Sequence, residues 1–212
     1  RYISDRLAAE KKLATVNRET QLLGQAFRLA VERETIAAAP MIRRLPERNT
    51  RRGFFERDEF EAVVAKLPDD LRDFARLACL SGWRKGELAG LTWGDVDRAG
   101  RVIRLRPEAA KNGHGRTLAL EGDLTALVER RWQARIITAP DGSVRVSDLM
   151  FHRDGRPVGD FRKSWATACK AAGVAGRLLH DLRRTSVRNM VRAGVPERVA
   201  MEVSGHRTRS VF

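Results

Sequence analysis

The stretch HDLRRTSVRNMVRAGVPERVAMEVSGH, residues 180–206, carries the pattern from which the fold and the site of this chain are best inferred. Apolar residues at helical spacing predict two helices here, over residues 180–193 and 196–203. His180 and Arg183 share one face at the start of the first helix, where backbone N–H groups and the helix dipole favour an anion. Arg184 points elsewhere and is assigned to the surface or to the backbone of DNA. The face formed by His180 and Arg183 therefore suits a phosphate. His206 directly follows Gly205, at the end of the second helix.

A second motif, GWRKGELAGLTWGDVD, occupies residues 82–97. Arg84 follows a predicted helix that Gly82 ends, and Glu87 lies one helical turn further on. A carboxylate at this spacing can brace the guanidinium, which then loses less entropy when it grips a phosphate. Taken alone, the pair is better explained as a surface ion pair.

The third motif is a predicted β-hairpin. RVIRL and RTLAL, residues 101–105 and 116–120, alternate as strands around the turn KNGHG at 111–115. Lys111 in this turn can swing toward a ligand and donate a proton to a departing alkoxide, although most turn lysines are simply solvated. His114 and Arg116 are secondary candidates for contact with a nucleic-acid backbone.

The rest of the chain reads as mostly helical. A helix is predicted at 14–34 with Thr15 as its N-cap, and its apolar stripe needs a packing partner. Further helices are predicted at 57–67, 71–82, 84–91, 122–135 and 160–172. DLMF, residues 148–151, is either a short strand or buried chain. The predicted fold class is therefore mainly α with a small antiparallel β-sheet (α+β).

Composition points to a polyanionic partner. The chain has 41 basic and 27 acidic residues, a formal net charge of +14 and a pI near 11.1. Each basic group docked on a phosphate releases condensed counterion, so a polyanion is the expected partner, and the charge alone would equally suit a ribosomal protein, a repressor or a nuclease. No window approaches the ~18 apolar residues of a membrane helix, and no signal peptide opens the chain. Cys79 and Cys169 are expected to be reduced core residues of an intracellular protein.

Metal chemistry is not expected. Two-metal nucleases need clustered carboxylates, whereas arginines dominate the candidate motifs. No Cys/His spacing suggests structural zinc. The sequence therefore predicts a metal-free site without a cofactor.

A basic connector separates the helix at 14–34 from the motifs described above. Residues 37–52 contain two prolines and two arginine pairs, Arg43 with Arg44 and Arg51 with Arg52. Proline disfavours helix, and an extended segment would align these arginines along a phosphate backbone. A solvated linker without a ligand explains the same residues equally well.

Taken in order, Arg84 with Glu87, Lys111, His180-x-x-Arg183 and Gly205-His206 resemble the catalytic domain of the tyrosine recombinases, the phage integrase family. The resemblance runs from Phe54 to the C-terminus. It implies the DNA breaking-rejoining fold for residues 53–212. It also implies that residues 1–36 are the C-terminal part of a helical core-binding (SAM-like) domain and that 37–52 are a basic linker.

The resemblance implies site-specific recombination by transesterification, in which a tyrosine attacks the scissile phosphate and forms a 3′-phosphotyrosyl bond. Arg84 and Arg183 would then clamp the non-bridging oxygens, and His206 would hydrogen-bond the same phosphate. Lys111 would protonate the leaving 5′-oxygen, and His180 would assist proton transfer at the nucleophile. Glu87 would orient its neighbours.

The resemblance also implies a setting for this reaction, with double-stranded DNA as the partner. The family acts as a tetramer on two DNA duplexes and exchanges its C-terminal segment between subunits. A cytoplasmic, nucleoid-associated protein of a bacterium or phage, encoded by a mobile element, is expected.

One family feature is not found in this sequence. The family places its tyrosine about nine residues beyond the position of His206, and the tyrosine present here is Tyr2. Nothing around Tyr2 matches the nucleophile's motif, so no nucleophile is assigned. With Arg1 as its first residue, the chain is expected to be a fragment truncated before the nucleophile, able to bind DNA but not to cut it.

Three other functions remain open at this point. A noncatalytic DNA-binding or regulatory protein could retain the same fold. A relaxing topoisomerase of related fold would share the chemistry without needing a partner site. A basic RNA-binding domain would leave the order of the five site residues unexplained.

Overall fold

Helices make up most of the structure, a computed structural model that describes residues 1–47 and 53–208. Within those ranges the helices are, in chain order, α1 (Tyr2–Ala8), α2 (Leu13–Glu32), α3 (Arg57–Lys66), α4 (Asp69–Ser81), α5 (Lys85–Ala89), α6 (Asp123–Ala134), α7 (Arg162–Ala171), α8 (Asp181–Arg192) and α9 (Glu197–Ser204). The strands are β1 (Val96–Asp97), β2 (Val102–Leu105), β3 (Arg116–Ala119), β4 (Ile136–Thr138), β5 (Val144–Val146), β6 (His152–Arg153) and β7 (Arg156–Pro157). The mainly helical prediction is confirmed.

The chain divides into two compact units, Arg1–Arg52 and Gly53–Phe212. In the first unit, Asn17 on α2 exchanges two hydrogen bonds of 2.8 Å with the backbone of Leu45, so the segment after α2 runs back along this helix. Leu22 on the predicted apolar stripe is 67% exposed. Thr15 is not the N-cap that the sequence suggested, because α2 already begins at Leu13, after Lys12.

The core of the second unit forms where the apolar faces of its helices meet. Phe74 on α4 stacks edge-on against Phe151 and Phe161, at 5.1 and 5.3 Å between ring centroids. Helix α4 also packs along α8, and the predicted bounds of both helices hold to within two residues. Helix α4 ends at Gly82, whose φ of 67° is the left-handed conformation that glycine adopts without strain. This places the backbone around Gly82 next to α8.

A three-stranded antiparallel sheet supplies the hairpin. The strand order is β1-β2-β3, with Leu105 opposite Arg116 in the register of the second pair. Alternate residues of a strand face the same side, and Arg116 and Leu118 both point inward. The predicted hairpin is thus present, and its first inward residue on β3 is an arginine.

The structure contains more β structure than the sequence suggested. β4 pairs with β5 and β6 pairs with β7, forming two separate two-stranded hairpins within residues 53–208. Strands of two or three residues are too short to show an alternating pattern, so they escaped prediction. DLMF forms no named strand: Met150 and Phe151 are fully buried chain, and Leu149 makes one isolated bridge to Thr92.

Candidate functional site

Arg183 lies at the centre of the candidate site. It is on the buried face of α8, with a relative exposure of 4%, and its guanidinium donates to the carbonyl of Gly82 at 2.6 Å. The same Nη1 donates to the carbonyl of Ser204. Both carbonyls belong to helix C-termini, where the last backbone acceptors lack helical partners and the dipole is negative. Two helix ends therefore hold one arginine.

The charge of Arg183 is poorly compensated. Burial, followed by the nearby charge of Arg84, lowers the pKa of its guanidinium to about 10, while Glu87 opposes the shift. Its Nη2 is buried without a hydrogen-bond partner in the part of the chain that the structure describes. A buried donor left unsatisfied costs about 1–3 kcal/mol. The site is therefore short of negative charge.

Glu87 connects the parts of the site. It is 3% exposed on α5, and its carboxylate accepts the backbone N–H of Arg84 at 2.8 Å and the Arg84 guanidinium at 3.1 Å. It also accepts the backbone N–H of Lys111 at 3.3 Å and pairs with Arg116 at 2.7 Å. Burial alone would raise the pKa of Glu87, but these donors hold it below its usual value. A buried, ionised carboxylate thus ties the start of α5 to the hairpin.

The hairpin turn reaches the site through its backbone. The side chain of Lys111 is exposed, while Asn112 donates to the carbonyl of Gly205 at 3.4 Å. His114 in the same turn is exposed as well. The Lys111 ammonium is therefore at the surface, and its main chain is fixed beside Glu87.

His206 enters the site because α9 ends at Gly205. The φ of 73° at Gly205 turns the chain back, and the His206 N–H bonds the carbonyl of Met201 at 2.9 Å. The Ser204 hydroxyl lies 2.6 Å from the Ala200 carbonyl and 2.7 Å from His206 Nδ1. A hydroxyl has one proton, which goes to the carbonyl, so Nδ1 carries the imidazole proton and donates to Ser204. Sequence reasoning missed Ser204.

Both histidines of the site favour their neutral forms. Burial lowers the pKa of His206 to about 4, assisted by the charges of Arg183 and Arg84. His180 is exposed at the start of α8, and partial desolvation followed by the charge of Arg183 lowers its pKa. Arg84 and Arg183 act on both histidines, and His180 acts on His206. These four side chains therefore lie close to one another, around the ends of α4 and α9.

The predicted DNA-contacting arginines fall in different environments. Arg43 and Arg44 are exposed in the first unit, and Arg44 lies 3.6 Å from Glu47. The Arg184 guanidinium stands 5.0 Å from the ring centre of Phe54. Arg116 is not at the surface: it is buried against Glu87, because its position on β3 faces inward. Arg51 and Arg52 lie outside the described residues.

Three further features of the described residues concern metals, membranes and thiols. The described residues contain no group of three or more His, Cys, Asp or Glu side chains arranged to hold a metal ion. None of the helices in residues 1–47 and 53–208 has the length and apolar character needed to cross a bilayer. Burial raises the pKa of Cys79 to about 12 and of Cys169 to about 11, so both thiols remain protonated.

Comparison with known proteins places this geometry in a family. The phage integrase family model matches residues 54–211. The integrase of Salmonella phage P22 is 27% identical over 194 residues, which cover 85% of this chain and 48% of that protein. Tyrosine recombinase XerC of Corynebacterium efficiens is 28% identical over 208 residues, which cover 92% of this chain and 64% of that protein. The chain thus spans between about half and two thirds of the length of these relatives.

Solved structures share the fold. A lambda integrase fragment, crystallised as a dimer bound to a COC′ core site, matches with a TM-score of 0.78 at 19% identity, covering 98% of this chain and 77% of that one. A lambda integrase tetramer bound to a Holliday junction matches with a TM-score of 0.76 at 19% identity, covering 98% and 63%. Since the family model spans the second unit from Phe54 onward, the chain belongs to the phage integrase family, the tyrosine recombinases.

Proposed function

We propose that the protein containing this chain is a site-specific DNA recombinase whose second unit binds and activates one phosphodiester. The observation that carries the proposal is the shortage of negative charge around Arg183. Two arginines and two histidines meet there, while Glu87 opposes the pKa shift of Arg183 and Asp181 opposes that of His180. A phosphate in the site would supply the missing charge. The buried Nη2 of Arg183 would gain a partner once the surrounding side chains open a path to it.

The proposed reaction is a transesterification. A tyrosine oxygen attacks phosphorus, the bond from phosphorus to the 5′-oxygen breaks, and a 3′-phosphotyrosyl bond forms. Arg84 and Arg183 stabilise charge on the non-bridging oxygens, and His206 binds the same phosphate. Lys111 gives its proton to the leaving 5′-oxygen, and His180 assists removal of the tyrosine proton. The attack of a free 5′-hydroxyl on the intermediate reverses these steps, so no external energy source is needed.

The proposal extends to the domains and partners. Residues 1–36 would be the end of a core-binding domain, 37–52 a linker on DNA, and 53–212 the catalytic domain. The solved neighbours include an integrase dimer and an integrase tetramer on DNA. By analogy, we propose that the whole protein assembles as a tetramer on two duplexes, in the cytoplasm with the chromosome.

The experiment uses the whole protein that contains this chain. Duplexes that the protein selects from a random library are made into nicked suicide substrates, and covalent protein–DNA adduct is measured on denaturing gels. Arg183→Gln removes a preorganised donor to a developing anion, which typically costs ~2.7–4 kcal/mol. We expect adduct formation to fall by about 10²–10³-fold.

Arg192→Gln is the matched control. Arg192 lies on the same helix, α8, with a side chain 60% exposed and paired with Glu56 at 3.2 Å. Its loss should leave the adduct rate within about twofold. Tight DNA binding without any adduct, unaffected by Arg183→Gln, would contradict the proposal and favour a noncatalytic DNA-binding protein of the same fold.

A further inference from the structure

A second buried arginine lies beside the site, and the proposed reaction assigns it no role. The side chain of Arg116 is 4% exposed. Its Nη2 pairs with Glu87 Oε2 at 2.7 Å, and its Nη1 donates to the carbonyl of Ser204 at 3.0 Å. The guanidinium also lies 5.5 Å from the ring centre of Trp83. It therefore bridges α5 and the end of α9 from a position on β3.

The Ser204 carbonyl is shared by two guanidinium groups. Arg116 and Arg183 both donate to it, although their like charges repel. Glu87 offsets this repulsion, since its carboxylate contacts Arg116 directly. The pair of Arg116 and Glu87 thus sets the place of the carbonyl that holds Arg183.

The guanidinium of Arg116 lies unusually close to the backbone of Gly205. A Cβ atom at this position would stand 1.7 Å from Nη1 of Arg116 and 2.7 Å from its Cζ. Only the absence of a side chain lets the guanidinium lie on the backbone here. The next residue is His206, so Arg116 also limits where the chain leading to His206 can pass.

We propose that Arg116 is a positioning residue of the strand-transfer site: with Glu87 it fixes the end of α9, and thereby sets both Arg183 and His206. This inference rests on the proposed function for its catalytic consequence. Its structural consequence, the placement of His206, can be measured without any reaction.

The first arm of the experiment measures chemistry. Arg116→Lys keeps the charge but lacks the planar fork that reaches two acceptors, and Arg116→Met keeps only the apolar bulk. In the whole protein that contains this chain, we expect each variant to slow adduct formation, by up to about 10²-fold, because small displacements of catalytic groups are costly. DNA affinity should change by less than about threefold, because Arg116 itself does not reach the surface.

The second arm measures the titration of His206 by NMR in the chain of residues 1–212, with His206→Asn used to assign the signal. The charged or titratable groups that act on this imidazole are Arg183 and His180 beside α8, Arg84 before α5, and Arg116 on β3. Removing the Arg116 charge should raise the pKa of His206. Arg116→Lys, which keeps the charge, should shift it only by moving the ring.

Arg131 on α6 provides a matched control. It is also a buried arginine, 7% exposed, and donates to the carbonyl of Met150 at 3.1 Å. Arg131→Lys and Arg131→Met should lower the melting temperature but leave the His206 titration unchanged. Their rate of adduct formation, corrected for the fraction of folded protein, should equal that of the parent protein.

Two results separate the inference from the function on which it rests. If no protein forms adduct but Arg116→Lys, which keeps the charge, still shifts the His206 titration, the recombinase proposal fails and the positioning role stands. A His206 titration in Arg116→Lys that matches the parent chain overturns the inference, whatever Arg116→Met shows, because loss of the charge alone shifts the titration in the latter. Should Arg116→Met fail to fold, the adduct rate and the His206 titration of Arg116→Lys test the positioning role of Arg116.

Discussion

Within the described residues, the direct hydrogen-bond partners of Arg183 are two carbonyl oxygens at helix ends. Carbonyls orient a guanidinium without neutralising it, so the arginine stays charged and ready for an anion. A carboxylate at the same place would satisfy the charge and compete with phosphate. Glu87 contacts Arg84 and Arg116 and acts on Arg183 from further away. The guanidinium of Arg183 is in this way held in position, while its charge is left to interact with an anion.

The neutral form of His206 makes stability depend on pH. Its pKa lies near 4 in the folded chain, against an ordinary value of 6.5. Between these two pH values the unfolded chain binds a proton that the folded chain does not. The contribution of His206 to the free energy of unfolding is therefore fully present above pH 6.5 and is lost as the pH falls toward 4. It amounts to about 3 kcal/mol at most.

His206→Asn should therefore flatten the acid side of the stability curve. We expect urea unfolding between pH 6.5 and 4 to show a smaller loss of unfolding free energy in this variant than in the parent chain. His114→Asn, which changes an exposed histidine of the hairpin turn, is the control and should follow the parent. Parallel curves for all three proteins would contradict the depressed pKa.

At the scale of elements, the site depends on how helices end. Helices α4 and α9 both finish at a glycine with positive φ, Gly82 and Gly205, and both present a carbonyl to Arg183. A residue in the left-handed conformation ends the helix, and the chain after it can then turn back toward the site. The loops after these helices thus deliver Arg84 and His206 beside one another.

Gly205→Ala tests this close packing against a matched glycine. Gly194, at the end of α8, has a φ of 77°, and a Cβ atom added there would meet no atom of the described residues within 4 Å. Gly194→Ala should therefore lower stability by about 1–2 kcal/mol from backbone strain alone. At Gly205 the new methyl group would also collide with Arg116, which adds about 1–3 kcal/mol. Chemical denaturation of both variants measures the difference, and equal losses would mean that Arg116 moves aside freely.

Sequence patterns predicted the long helices and the order of the site residues, but not the contacts between them. The period of α4 and α8 is visible because each buries one continuous face. The carbonyls of Gly82 and Ser204 are backbone acceptors, which leave no side-chain signature. The inward direction of Arg116 could have been found, since RTLAL places it on the same strand face as Leu118. Its place beside the KNGHG turn instead favoured contact with a nucleic-acid backbone.

At the scale of the whole molecule, the net charge of +14 must be distributed between phosphate contacts and internal ion pairs. Some arginines are already matched, such as Arg98 with Glu129 and Arg130 with Asp73, each at 2.7 Å. Arg43 and Arg44 are exposed, and within the described residues the ion pair of Arg44 is a long one, 3.6 Å to Glu47. We therefore expect the linker pair to contribute more to DNA binding than the matched pair.

The salt dependence of DNA affinity distinguishes these two sets. Each phosphate contact contributes about −0.9 to the slope of log K against log salt concentration. Replacing Arg43 and Arg44 with Gln should reduce the slope by about 2, because two contacts are lost. Replacing Arg98 and Arg130 with Gln changes the formal charge equally, yet should leave the slope unchanged, since those arginines release no counterions from DNA. Fluorescence anisotropy across a salt series measures both, and identical slopes for the two double variants would show that net charge alone, and not the linker, governs binding.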